Sequence, residues 1–271
     1  MVLPWTRVLL LVIALQKAHG SPFTNRDQLK TAVDNCLDVD ETGVTCCATA
    51  DCGPAGSDEM KDWDVSQVTN MGWSGSSYAF YPRGLFTHAP NPHDPGVYRG
   101  YFYFNADISG WNVSQVTNMD FMFYECYPFN ADLSGWDVGK VTSMRGMFAK
   151  ASKPGGFNQD ISSWNTGSVT NMYAMFIDAY EFNADISDWN VGQVLEMNAM
   201  FTNARSFAAD ITGWSTNPSA STSSMFSGTS AWFQRYTHNN GASVDGPPSS
   251  WTGNPCDVSE APTNGGVGDC T

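Results

Sequence analysis

The chain has 271 residues, a net charge of −14, 42% hydrophobic residues and seven cysteines. That acidity excludes a nucleic-acid or anionic-membrane binder, whose surfaces need clustered Lys and Arg. It favours solubility, and cations as partners.

In chain order, a short segment ending at Arg7 precedes an apolar run from Val8 to Leu15. The run is far shorter than the roughly 20 residues of a membrane span. Ala18 and Gly20 supply the small residues of a cleavage site, so residues 1–20 are expected to be a signal peptide. The alternative for this stretch is an N-terminal core helix. No other segment is apolar enough to span a bilayer. The polar end, Thr263 to Thr271, shows no hydrophobic tail of the kind a lipid-anchor signal carries.

Residues 21–59 read as a cysteine-rich N-terminal cap. Thr24 to Leu37 is predicted helical, because Leu29, Ala32, Val33, Cys36 and Leu37 form one apolar stripe. Thr24 with Asp27 resembles a capping pair. Cys36, Cys46, Cys47 and Cys52 precede the repeats, while Cys256 and Cys270 follow them. In a secreted chain this distribution reads as disulfides stapling each end within its own segment. Zinc is disfavoured, since Cys46-Cys47 lacks the usual paired spacing and no histidine is near. Cys126 is left over, and reads as a small buried hydrophobe.

Residues 60–232 are dominated by internal repetition. Four copies run FNADISGWNVSQVTNMDFMF (Phe104–Phe123), FNADLSGWDVGKVTSMRGMF (Phe129–Phe148), FNQDISSWNTGSVTNMYAMF (Phe157–Phe176) and FNADISDWNVGQVLEMNAMF (Phe182–Phe201). A weaker fifth spans Phe207–Phe226. The tryptophans at 111, 136, 164, 189 and 214 are spaced 25, 28, 25 and 25 apart. Lys153-Pro154-Gly155-Gly156, a turn-rich insertion, accounts for the 28. A partial first copy, Met60 to Met71, precedes an insertion at 72–103, and places Ser74 in the second methionine column. The last copy carries Ser219 and Thr222 in apolar columns, and such polar end units suit a stack with no further neighbour. Residues 233–271, rich in Ser, Gly, Pro and Asn, read as a loop-rich tail.

Asp-Ile-Ser-x-Trp and Val-Thr-x-Met are short and alternating, as strands are. The residues around Met-Phe read as a helical turn. One unit buries too little to offset the entropy of ordering itself, so the units must stack. The expected fold is therefore an α/β repeat solenoid: a leucine-rich-repeat-like stack of short parallel strands with helical turns, under an N-terminal capping helix.

The F-N-x-D-I-S-x-W-x-V/T-x-x-V-T-x-M-x-x-M-F pattern resembles the BspA-like leucine-rich-repeat surface proteins over about residues 60–228. The resemblance implies an extracellular or cell-surface repeat protein used in adhesion or recognition, without catalytic residues. The chain departs from the pattern at its aromatic insertion and in showing no surface anchor.

Several groups are candidate sites. Asp107, Asp132, Asp160, Asp185 and Asp210 form one column, which would be solvated, bonded to backbone N–H groups, or bridged by calcium with help from neighbouring asparagines. The expectation favoured here is each aspartate closing its own turn. Tyr78, Tyr81, Tyr98 and Tyr101 in the insertion are candidate ligand contacts, presenting a ring with a polar tip. Asn112-Val113-Ser114 is a glycosylation sequon. Beyond residue 20 only His88, His93 and His238 remain, and none lies in a nucleophile or metal motif. No enzyme is predicted. The leading expectation is a secreted or surface binding module for an extracellular protein or carbohydrate. The alternative is a structural component of a matrix, wall or scale, bridged by cations.

Overall fold

The computed structural model describes residues 20–73, 84–86, 103–151, 155–241 and 243–253. Helix α1 spans Arg26–Val39 and buries Leu29, Ala32, Val33, Cys36 and Leu37, the stripe read from the sequence. Its cap sits one residue later than expected. Asn25 is the N-cap and its side chain accepts from the Gln28 N–H, while Gln28 Oε1 accepts in return from the Thr24 N–H and hydroxyl. Cys36 is bonded to Cys46 and Cys47 to Cys52, fastening the end of α1 to the following loop. Phe23 packs 5.2 Å from Trp63, joining this cap to the first repeat.

The expected α/β solenoid of parallel strands and helical turns does not form. Among the described residues, the α-helices are α1 and a second, α2, at Ser230–Arg235, and the named strands are β1 (Tyr236–His238) and β2 (Trp251–Gly253). β1 and β2 pair antiparallel, with Tyr236 opposite Gly253. α1, β1 and β2 lie outside residues 60–232, and α2 follows the last copy, which ends at Phe226. The repeats are built from turns, and adjacent units meet as strands do at a single residue each: Asn70, Asn118, Ser143, Asn171, Glu196 and Ser221 are joined by isolated parallel bridges.

The physical reason lies in the backbone. In the Asp-Ile-Ser-x-Trp segment the Trp111 N–H donates to the Ile108 carbonyl, closing a turn where a strand was read. The same bond recurs at Trp136, Trp164, Trp189 and Trp214. Around Met-Phe, two positions per unit are left-handed: Phe121 and Glu125, then Gly146 and Lys150, Ala174 and Asp178, Ala199 and Asn203. A right-handed helix cannot pass through such residues. Alternate N–H groups instead reach the next unit. Met119, Phe121, Phe123 and Glu125 donate to the carbonyls of Ser143, Arg145, Met147 and Ala149, and the N–H groups between them close local turns.

The core is a set of side-chain columns. Met119, Met144, Met172 and Met197 are fully buried, as are Met122, Met147, Met175, Met200 and Met225. Two phenylalanine columns interleave, with Phe123–Phe129, Phe148–Phe157, Phe176–Phe182 and Phe201–Phe207 stacked at 4.1, 3.9, 3.7 and 4.0 Å. In the repeated tryptophan column, Nε1 donates to a carbonyl of the preceding unit: Trp136 to Ile108, Trp164 to Leu133, Trp189 to Ile161 and Trp214 to Ile186.

Both ends of the stack hold features the sequence reading did not find. In the first unit Leu85 fills the second methionine column, which the spacing gives to Ser74, a residue outside the described ones. Leu85 and Phe86 are fully buried. Phe86 stacks on Phe104 at 4.1 Å and Phe123 at 5.3 Å, and its N–H donates to the Met122 carbonyl. Among the described residues of the 72–103 insertion, the chain therefore returns to the core at Leu85 and Phe86. At the other end, Trp232 follows Phe226 by the same six residues that separate Phe201 from Phe207. It continues the ring column, 5.9 Å from Phe207 and 4.3 Å from Phe226. The Phe226 N–H donates to the Val244 carbonyl and the Ser224 N–H to Asp245, so residues 244–245 stand in for a further unit. Trp251 packs edge-on against Phe226 and Trp232.

A candidate binding face on the variable half of each unit

Each unit divides into a constant half, from the first Phe to the first Met, and a half that varies between copies. In the constant half the polar side chains serve the fold. Asp107, Asp132, Asp160, Asp185 and Asp210 are all exposed. Each accepts the backbone N–H two residues on, from Ser109, Ser134, Ser162, Ser187 and Thr212. Hydrogen bonds from the Ser109 hydroxyl and N–H hold the Asp107 carboxyl below its usual range, and Ser162 does the same for Asp160. Backbone and then hydroxyl bonds from Ser134 and Ser187 lower Asp132 and Asp185. The asparagines form a ladder in which Asn105, Asn130 and Asn158 each accept the N–H of the next unit's asparagine, and Asn183 accepts from Ala208. Among the described residues the metal-capable cluster is Cys36, Cys46 and Cys47, all engaged in disulfides. The aspartate column is not drawn into one.

Asn112 is exposed and its side chain accepts the N–H and hydroxyl of Ser114, so the sequon lies in a surface turn. Cys126 is buried at a position where later units carry Ala151, Ala179 and Ala204. Its thiol contacts the Phe86 carbonyl at 3.6 Å, and burial pushes its ionisation far up. Tyr78, Tyr81, Tyr98 and Tyr101 lie outside the described residues, as do Cys256, Cys270 and residues 1–19.

The variable half follows the bridge residue. Two residues beyond the bridge stand Gly72, Asp120, Arg145, Tyr173, Asn198 and Ser223, six different residues in six units. One further on come Trp73, Phe121, Gly146, Ala174, Ala199 and Ser224. The Trp73 and Phe121 rings meet edge-on at 6.4 Å. Phe121 lies over Gly146, where a Cβ would stand 2.4 Å from the ring; the close approach favours glycine here, since the same left-handed backbone is carried by Phe121, Ala174, Ala199 and Ser224 in the other units. Arg145 is sandwiched, its guanidinium 5.0 Å from the Phe121 ring and 5.4 Å from the Tyr173 ring. Lys150 caps Tyr124 at 5.1 Å and pairs with Glu125 at 2.8 Å. Burial raises the ionisation of Asp120, partly offset by the Ser143 hydroxyl and the Arg145 N–H and charge. Beside this row a groove of 360 Å³ is lined by Arg145, Asn171, Tyr173, Glu196 and Asn198.

The sequence reading missed this face because it searched for what recurs, and the signal here is the positions that fail to recur. Cations stacked on rings beside polar amides suit recognition of a ligand surface. No helix among the described residues is long and apolar enough to cross a membrane.

No curated protein and no solved structure matches the chain. Residues 95–156 and 153–239 match a family described as "Mycoplasma protein of unknown function, DUF285". These stretches cover more than half of the 271 residues, and the chain belongs to this family of repeat proteins.

Proposed function

We propose that the chain is a secreted or cell-surface binding module of the BspA-like adhesion class, without catalytic activity, whose ligand is read by the variable half of its units. The observation that carries this reading is the division of labour within the repeat. Columns that bond unit to unit stay constant, while the position that carries Arg145 and Tyr173 differs in every copy and places charge and an aromatic ring at the surface. Exposed aromatic and arginine side chains are the types that dominate recognition surfaces. The leader-like residues 1–20 and the paired cysteines of the N-terminal cap support an extracellular location.

Immobilised protein challenged with an extracellular fraction tests the reading. Saturable capture of a component, lost on combining Arg145→Ala with Tyr173→Ala, is the expected result. Capture unaffected by that pair would sink it. The exposed aspartate column favours a second reading, a matrix component bridged by divalent cations; bulk, calcium-dependent incorporation without a saturable partner is its signature.

A further inference from the structure

The groove beside Tyr173 has a chemistry specific enough to name a ligand class. Its volume of 360 Å³ lies within the roughly 300–1,000 Å³ of small-molecule sites. Its lining alternates donors and acceptors: the Arg145 guanidinium, the Asn171 and Asn198 amides and the Glu196 carboxylate. Tyr173 is 39% exposed and supplies one aromatic ring, with Arg145 over one of its faces. The polar groups are set in advance. Asn198 Oδ1 accepts from the Ser221 hydroxyl and the Ser223 N–H, its Nδ2 donates to Glu196, and Asn171 Oδ1 accepts the Tyr173 N–H. The Arg145 guanidinium sits between the Phe121 and Tyr173 rings. Side chains already fixed lose little entropy on binding.

Paired donors and acceptors around one ring match vicinal hydroxyls above the C–H face of a sugar. The lining residues come from three successive units, whose bridged backbones are about 4.8 Å apart, so the groove crosses about 10 Å of stack. That length favours a short chain of sugars over a single one. A polyanion is opposed by Glu196 in the groove and by the net charge of −14. A protein partner would want a central apolar anchor site, which this polar lining does not offer.

We infer that the groove of Arg145, Asn171, Tyr173, Glu196 and Asn198 binds a neutral oligosaccharide, with Tyr173 as the stacking platform; this rests on the binding reading above and specifies its ligand. The test is calorimetric titration of the full-length protein with neutral tetra- to hexasaccharides of gluco, manno, xylo and galacto configuration, and with sulfated counterparts. Saturable binding of at least one neutral oligosaccharide is expected, weakened about tenfold or more by Tyr173→Ala and insensitive to salt. Tyr173→Ala should melt with the wild type, since the side chain is at the surface. Binding unchanged by Tyr173→Ala, absent for every neutral sugar, or confined to sulfated sugars and abolished by salt would overturn the inference. If no sugar binds while capture of an extracellular protein still depends on Arg145 and Tyr173, the sugar assignment falls and the binding face stands. If neither depends on them, both fall.

Discussion

Replacing Trp164 tests the packing of the stack directly. The side chain is 3% exposed, lies parallel to Trp189 at 6.2 Å and 5°, and contacts Phe148 at 6.3 Å. Its Nε1 donates to the Leu133 carbonyl of the preceding unit at 3.0 Å. Truncating a buried aromatic to alanine costs about 3–5 kcal/mol. Leaving a buried carbonyl without its donor costs about 1–3 kcal/mol. The two overlap, so about 4–6 kcal/mol is expected for Trp164→Ala. Trp164→Phe keeps most of the ring and loses the bond, and should cost about 1–3 kcal/mol. Lys140→Ala removes an exposed bond to Gln115 and should stay within about 0.5 kcal/mol. At about 2–4 °C per kcal/mol, Trp164→Ala should melt about 10–20 °C below the wild type. Thermal unfolding followed by circular dichroism reads all three. Equal melting of Trp164→Ala and Lys140→Ala would refute the inward column. Equal loss in Trp164→Ala and Trp164→Phe would assign the whole effect to the hydrogen bond.

Phe86→Ala should lose about 3–5 kcal/mol in urea unfolding, as much as Phe123→Ala, because both fill one ring column; a loss under about 1 kcal/mol would place Phe86 outside the core. Cys126→Ala should change stability by less than about 1.5 kcal/mol, since three later units carry alanine there. The native Cys126 thiol should resist alkylation until denaturant is added, and labelling within minutes would contradict its burial. Asn158→Ala deprives the Asn183 N–H of its acceptor and should lower the urea midpoint by an amount worth about 1 kcal/mol. The lowered carboxyls of Asp107, Asp132, Asp160 and Asp185 add stability that is complete above the unfolded aspartate value of about 3.9 and is lost as pH falls through their lower folded values. Asp40 acts in the same direction: burial pushes it up, but bonds from Thr42 and Thr45 outweigh this and hold it at about 2. Asp120, raised by burial, acts in the opposite direction. Melting should therefore be flat from pH 7 to about 5 and fall below about 4; identical melting at pH 6 and pH 3 would show that these turns do not stabilise the fold.

The columns were legible because each repeats a chemically distinctive residue at one spacing: Trp, Met and Phe for the core, Asp and Asn for turns and ladder. The backbone path between them was not. Residues 119–126, read as a helical turn, instead alternate outward and local hydrogen bonds, and only the left-handed residues separate the two. At these positions Phe121, Glu125, Lys150, Ala174, Ala199 and Ser224 do not announce a left-handed backbone, whereas Asp178 and Asn203 are types that tolerate it and Gly146 and Gly228 mark it outright. Leu85-Phe86 escaped notice because residues 74–84 separate it from Trp73, although the two positions are adjacent in every other unit. Trp232 escaped because the reading ended where the motif ended, though the six-residue spacing from Phe226 had already carried the ring column one unit further.

The division between halves follows from how the units are joined. In the constant half, neighbouring units are tied by side chains: tryptophan to carbonyl, asparagine to the next N–H. Each such residue is fixed by the residue it meets in the next copy, so the column repeats. In the variable half, the tie is carried largely by backbone N–H groups at alternate residues, which any side chain can supply. Arg145 and Tyr173 can therefore differ from Asp120 and Asn198 without disturbing that backbone ladder. Asp120 and Asn198 do reach forward to the next unit, yet the units carrying Arg145 and Tyr173 stack as well without that bond. A surface released in this way from holding the stack is free to present different chemistry at each level, and that freedom, more than any single residue, is what makes this face the place to look for a ligand.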